Sequence, residues 1–360
     1  IEGAASKDGR SPSIWDAFCA LPGKIQNGDT GNNACEHYYR FAEDVKLMKE
    51  CGLRAYRFSI SWSRLLPNGR GKMNLKAYDF YNSLLVELHE NGILPIVTLY
   101  HWDLPKCLED EYGGWLSREV IPDFEAYAST CFQCFGSLVK NWITLNEPWC
   151  CCVLGYGSGE HAPGRSSDAG TEPYLAAHHM LLAHAQAVKC YRDVYQEEQG
   201  GVIGLTLNMD WKEPLSSSEA DRLAQRRALD WQLGWFADPV YKGNYPESMR
   251  KKCGGRLPEF STEEQYLLRG SSDFFGLNHY SSDFVSPGED KPPEIGNCFA
   301  DADVKNTSDP RWSRTDMGWD IVPWGFERLL SWIHKEYSPK GGILVTENGC
   351  AVREATEHDA

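Results

Sequence analysis

The chain has 360 residues, 42% of them hydrophobic, which is enough to bury a large core, and it carries a net charge of −15. That balance argues against nucleic acid and anionic membrane as partners, since both need clustered Lys and Arg, and no apolar run reaches the roughly 18 residues of a membrane span. The 13 cysteines include the run Cys150-Cys151-Cys152 and fit no regular disulfide framework, so the expectation is a reducing, cytoplasmic setting; the chain begins at Ile1, and any targeting segment would lie upstream of it.

Strands are predicted near Arg54 to Ile60, Leu94 to Leu99, Trp142 to Leu145, Val202 to Leu207, Phe274 to Leu277 and Ile343 to Thr346. Amphipathic helices fall between them, near His37 to Cys51, Leu75 to Glu90, Pro122 to Phe135, Tyr174 to Tyr195, Glu219 to Leu233 and Phe326 to Glu336. Ser261-Thr262-Glu263-Glu264 has capping-box spacing and opens a further short helix. The polar stretch from Pro287 to Arg311 reads as a long loop on the face that shapes a substrate mouth. Strand and helix alternating in this way imply a parallel α/β sheet, and no linker or repeat divides the chain into domains.

Two of the predicted strands end in glutamate motifs, Thr144-Leu145-Asn146-Glu147-Pro148 and Thr346-Glu347-Asn348-Gly349. Parallel α/β folds place their chemistry at the C-terminal ends of strands, and paired carboxylates there point to glycoside hydrolysis, with one protonating the leaving oxygen while the other acts as an anion. Three further segments occur in order at similar strand ends: Tyr56-Arg57-Phe58-Ser59-Ile60-Ser61-Trp62-Ser63-Arg64, Leu99-Tyr100-His101-Trp102-Asp103-Leu104-Pro105 and Asn278-His279-Tyr280. Together the five motifs closely resemble family 1 glycoside hydrolases, the β-glucosidase family, from Ile1 to about Glu354.

The resemblance implies a (β/α)8 TIM barrel, one catalytic domain over residues 1–360. Its pattern has eight strands and six are legible. Of the family's first-strand ending Tyr-Gln-Ile-Glu-Gly only Ile1-Glu2-Gly3 is present, and the last-strand Glu-Trp segment does not occur, so the expectation is a barrel incomplete at both ends.

By the same resemblance, Glu147 is the acid/base and Glu347 the nucleophile, in retaining hydrolysis of β-glycosides, β-glucosides above all, with no cofactor and no metal. Retention implies carboxyl groups about 5 Å apart. An unshifted Glu with a pKa of about 4.3 would be only roughly 2% protonated at pH 6, so Glu147 needs an upward shift from burial and from a nearby Glu347 anion. Arg57 and Tyr280 match the cation and hydroxyl donor beside the nucleophile. Asn146 matches the partner of the sugar 2-hydroxyl, His101 and Trp102 the sugar-pocket pair, Asn278 the residue that positions the Tyr280 loop, and Trp319 of Thr315-Asp316-Met317-Gly318-Trp319 the tryptophan that stacks on the leaving group.

Rival readings are a phospho-β-glycosidase, which would need basic residues around the sugar 6-position, and an inactive sugar-binding homologue, which typically loses one glutamate. Thioglucosidases of the family replace the acid with Gln, where this chain has Glu147. His178, His179 and His184 lack the spacing of a zinc pair, and Cys131 and Cys134 lie late in a helix and read as core thiols. Cys350 reads as a buried thiol, and Asn306-Thr307-Ser308 as a chance glycosylation triplet.

Overall fold

The computed structural model describes residues 2–288 and 297–353. The strands among them are β1 (Ala55–Ser59), β2 (Leu94–Tyr100), β3 (Asn141–Asn146), β4 (Val202–Asn208), β5 (Trp211–Pro214), β6 (Phe275–Asn278), β7 (Ser282–Pro287), β8 (Val304–Thr307) and β9 (Ile343–Glu347). Six of these pair in parallel in the order β1-β2-β3-β4-β6-β9. The sheet is parallel, as the alternating pattern predicts, and it curls into a part-barrel, as the resemblance implies; all six predicted strands are present.

Local sequence explains why the crossovers are helical. Leu75–Glu90 opens at Asn74, whose side chain accepts the Lys76 N–H at 3.2 Å, and buries Phe80, Tyr81, Leu84, Leu85 and Leu88 at helical spacing. Each fully buried side chain of that size contributes about 1.5–3 kcal/mol. Leu84 and Leu88 meet Val45 of His37–Glu50 and Ile93 at the entrance to β2. Ser261 and Glu264 form the predicted capping box. Between the sheet and the outer helices, Trp62 stacks on Tyr127 with ring centroids 4.9 Å apart, and its indole N–H donates to the Gly69 carbonyl at 2.8 Å.

Three expectations need correction. The helix expected to be amphipathic over 174–195 is Glu172–Cys190 followed by a wider turn over Tyr191–Tyr195, and it is buried nearly all round. It packs against the helices Val120–Phe135 and Thr262–Leu268 as well as the sheet, which leaves it no solvent face. The helical run opening at Glu219 does not stop at Leu233. It continues as Trp235–Lys242, with Gly234 in helical conformation and Pro239 inside, because the buried faces of Trp235, Phe236 and Val240 outweigh those two breakers. The expected loop from Pro287 to Arg311 contains β8, which pairs antiparallel with β7, itself parallel to β5. β8 is mostly exposed and shows no apolar alternation, so it leaves no periodic trace in the sequence. Residues 289–296 of that stretch lie outside the described residues.

The register of the main sheet is what assembles a site. Asn146 stands opposite Thr206, Asn208 opposite Asn278, and Asn278 opposite Glu347, all at strand C-terminal ends. The register shifts between Ile143 and Asn146 and between Leu277 and Asn278, irregularities of the kind that re-aim side chains at barrel rims. β4 and β6 approach closely at Gly276, where a Cβ would meet Thr206 Oγ1 at 2.5 Å and the Leu205 carbonyl oxygen at 2.7 Å.

Candidate active site

Glu347 ends β9. Its Oε1 accepts from Arg57 Nη1 and its Oε2 from the Tyr280 hydroxyl, both at 2.6 Å. Burial raises its pKa, but these two hydrogen bonds and the guanidinium charge outweigh burial and hold the carboxyl below its ordinary value. Arg57, on β1, is itself aimed by Thr98 Oγ1 at 3.2 Å.

Glu147 follows β3 with φ 45° and ψ 61°, a left-handed conformation. A side chain pays strain of about 1–3 kcal/mol there unless its surroundings enforce it. Here its N–H donates to the Thr206 carbonyl at 3.0 Å, and Pro148 locks the first turn of the next helix. Glu147 is only 7% exposed. Burial pushes its pKa up and the Glu347 charge adds to that, while hydrogen bonds from Asn278 and Cys150 and the Arg57 charge act the other way. The net direction is upward, opposite to Glu347.

A continuous set of side-chain amides joins the two carboxylates. Asn278 Nδ2 donates to Glu147 Oε1 at 2.6 Å and to Asn146 Oδ1 at 3.2 Å. Asn146 Oδ1 also accepts from Arg57 Nη2 at 2.5 Å, and Arg57 bonds Glu347. Thr346 Oγ1 donates to Asn278 Oδ1 at 2.6 Å, which fixes that amide's orientation. Asn278 therefore touches Glu147 directly, where the resemblance implied that it positions the Tyr280 loop. Its amide spans the end of β4, the strand that lies between β3 and β6 in the sheet.

His101 and Trp102 follow β2. Asn146 Nδ2 donates to His101 Nε2 at 3.0 Å, and since Arg57 can only donate to the other end of that amide, the histidine nitrogen must accept. Burial and the Arg57 charge push His101 down to about 4, against the pull of Glu347, so the ring is neutral at physiological pH. Trp102 has φ 76°, and its indole N–H donates to the Asn146 carbonyl at 2.9 Å. Tyr280 meets Trp319 edge to face, with ring centroids 5.4 Å apart. Trp319 is 45% exposed and lines a cavity of about 590 Å³ together with Glu147, Asn278, Tyr280, Trp149 and Trp231. On the other side of the strand ends a space of about 480 Å³ is lined by Arg57, Ser59, Thr98 and His101.

All nine residues singled out in the sequence thus lie in one continuous region. Missed as site residues were Thr98, Trp149, Trp231 and Asp210, which belong to none of the five motifs, along with Thr346, which opens a glutamate motif without being given a role, and Cys150 of the cysteine run. Asp210 lies just beyond β4, and its Oδ1 accepts the N–H groups of Tyr280 at 3.3 Å and Ser281 at 2.9 Å.

The other histidines serve the core. His184 lies between Thr144 Oγ1 at 2.6 Å and Ser271 Oγ at 3.1 Å, His178 meets the Tyr245 hydroxyl and His179 the Trp115 carbonyl. Among the described residues no cluster of three His, Cys, Asp or Glu could hold a metal ion, and no helix is long and apolar enough to cross a membrane. Cys131 is buried and Cys134 half-buried, whereas Cys350, expected to be buried, is exposed: it lies past the end of β9, in a loop whose Asn348 and Gly349 are exposed too.

The family model for glycosyl hydrolase family 1 matches residues 1–360. β-Glucosidase 34 of Oryza sativa subsp. japonica is 45% identical over 365 residues, which cover 97% of this chain and 71% of that protein. A coniferin β-glucosidase of Pinus contorta is also 45% identical, over 97% of this chain and 71% of its own length. Among solved structures, a rice β-glucosidase mutant in a covalent complex with Glc superimposes with a TM-score of 0.95 at 42% identity, covering 97% of this chain and 77% of that one. A β-glucosidase from the fungus Humicola insolens in complex with glucose gives a TM-score of 0.93 at 44% identity, over 98% and 77%.

Proposed function

The chain belongs to glycosyl hydrolase family 1, and on that premise we propose that it is a β-glucosidase whose Glu347 is the nucleophile and whose Glu147 is the acid/base in a retaining, two-step hydrolysis. The observation that carries this assignment is that two carboxyl groups joined by one hydrogen-bonded set of amides are pushed in opposite directions, Glu147 up and Glu347 down. Such divergence within a pair is what separates an acid from an anion at one pH.

In the first step Glu347 attacks the anomeric carbon while Glu147 gives its proton to the departing glycosidic oxygen, forming a glucosyl ester and the free aglycone. Esterification removes the Glu347 charge, one of the causes that raise Glu147. Glu147 then becomes a better base, takes a proton from water, and the attacking oxygen releases β-glucose. Arg57 and Tyr280 hold the carboxylate of Glu347 ionised and oriented. The glucose bound in solved relatives supports the sugar. The tryptophans Trp149, Trp231 and Trp319 around the larger cavity support an aglycone with a flat apolar face.

Proton NMR of the sugar first released from an aryl β-glucoside tests the mechanism: β-glucose is expected, and α-glucose would sink it. Glu347→Gly should abolish turnover and regain part of it with azide, yielding a glucosyl azide of α configuration. No loss on that substitution would remove Glu347 from the role.

A further inference from the structure

We propose that Asp210 is a positioning residue for the nucleophile, acting through the backbone of Tyr280; the inference rests on the reading of Glu347 given above. At the end of β4 the Met209 N–H donates to the Asn278 carbonyl at 3.0 Å, the last backbone bond between β4 and β6. Past that point the Tyr280 and Ser281 N–H groups go to the Asp210 carboxylate, so a side chain carries on the pairing that the main chain has ended. A carboxylate oxygen has the lone pairs for two such bonds, and its charge strengthens both.

What hangs from that backbone is the phenol that meets Glu347 Oε2 at 2.6 Å. A hydroxyl-to-carboxylate bond has a narrow distance range, so a small drift of the Tyr280 main chain would lengthen it past usefulness. The same short turn is clipped from the far side, where Ser281 Oγ donates to the Asp320 carbonyl at 2.8 Å next to Trp319. Asp210 thus fixes one end of a two-point mount for Tyr280 without itself bonding either catalytic carboxyl. The titratable groups facing Asp210 are His279 of the same turn, the Cys150 thiol, and Lys212, whose ammonium pairs with Asp283 at 2.5 Å. Those facing Glu347 are Arg57, Tyr280, His101 and Glu147.

The test is the pH dependence of kcat/KM on an aryl β-glucoside for the wild type, Asp210→Ala, Asp210→Asn, Tyr280→Phe and the double variant Asp210→Ala/Tyr280→Phe. Loss of a well-held contact commonly costs up to about 100-fold. Asp210→Ala is expected to lower kcat/KM by about 10- to 100-fold and to move the acidic limb up, because Glu347 loses its phenolic donor. Asp210→Asn keeps an oxygen that accepts both N–H groups and should stay within about 3-fold, with the limb restored. Against Tyr280→Phe, Asp210→Ala should cost no more than about a further 3-fold, since contacting positions couple rather than add. Losses that multiply, an acidic limb that stays put while activity falls, or an Asn variant as poor as the Ala variant would each overturn the proposal. If Asp210→Ala does not fold, the near-native limb expected of Asp210→Asn still decides the question. Azide rescue of Glu347→Gly separates the two readings: rescue with multiplying losses overturns the role of Asp210 alone, and no rescue overturns the nucleophile.

Discussion

Asn278→Ala should make Glu147 a weaker acid. Asn278 Nδ2 donates at 2.6 Å to the carboxyl of Glu147, a residue only 7% exposed, so water cannot replace the lost bond freely. A hydrogen bond to an ionised group is worth about 1.5–3 kcal/mol, and the same bond to the neutral acid about 1 kcal/mol. The difference, about 0.5–2 kcal/mol, is what the amide contributes to favouring the anion. At 1.36 kcal/mol per pH unit it corresponds to a rise of about 0.4–1.5 units in the pKa of Glu147. The sign follows from the role: the first step needs Glu147 protonated, so its pKa sets the basic limb of kcat/KM, and raising it extends activity toward higher pH. The assay is kcat/KM against pH on an alkyl β-glucoside or cellobiose, whose leaving oxygen needs the proton. Thr346→Val, which removes the donor that orients Asn278, should move the limb the same way by less. A basic limb that falls or stays in place in Asn278→Ala, or a shift confined to the acidic limb, would refute the reasoning.

Glu147→Gln should slow alkyl glucosides by about 10²- to 10⁴-fold more than activated aryl glucosides, measured as kcat/KM, because acid assistance matters only where the leaving oxygen needs a proton. Trp62→Ala removes a fully buried indole together with its stacking on Tyr127 and its bond to Gly69, and should cost about 3–5 kcal/mol in a urea titration; a loss under 1 kcal/mol would mean the site collapses around the gap.

The six barrel strands were legible because buried parallel strands are runs of β-branched and apolar residues bounded by helices of another period, as in Ile96-Val97 and Ile203-Gly204-Leu205. The outer sheet of β5, β7 and β8 was not, since its edge is exposed and its order comes from pairing partners far along the chain. The helix through Gly234 and Pro239 was missed for the converse reason, tertiary burial overriding local breakers. At the site, motifs brought out the residues assigned above to the reaction. Asp210, Thr346 and Thr98 act on those groups from behind, and a residue whose work is to aim a neighbour has no chemical signature of its own. The contact between Asn278 and Glu147 depends on sheet order and on a register shift, neither of which one strand's sequence records.

Asn146 illustrates how a single amide can impose a direction on a ligand. Its oxygen already receives two donors, Arg57 and Asn278, so what it can offer a newcomer is only N–H. A sugar hydroxyl arriving there must therefore act as an acceptor and send its own proton elsewhere, with the Glu347 anion among the acceptors close by. A group that can only donate, such as an ammonium on the same carbon, would face hydrogen against hydrogen and find no way to turn. The site in this sense sorts ligands by the sense of their hydrogen bonds as well as by their shape.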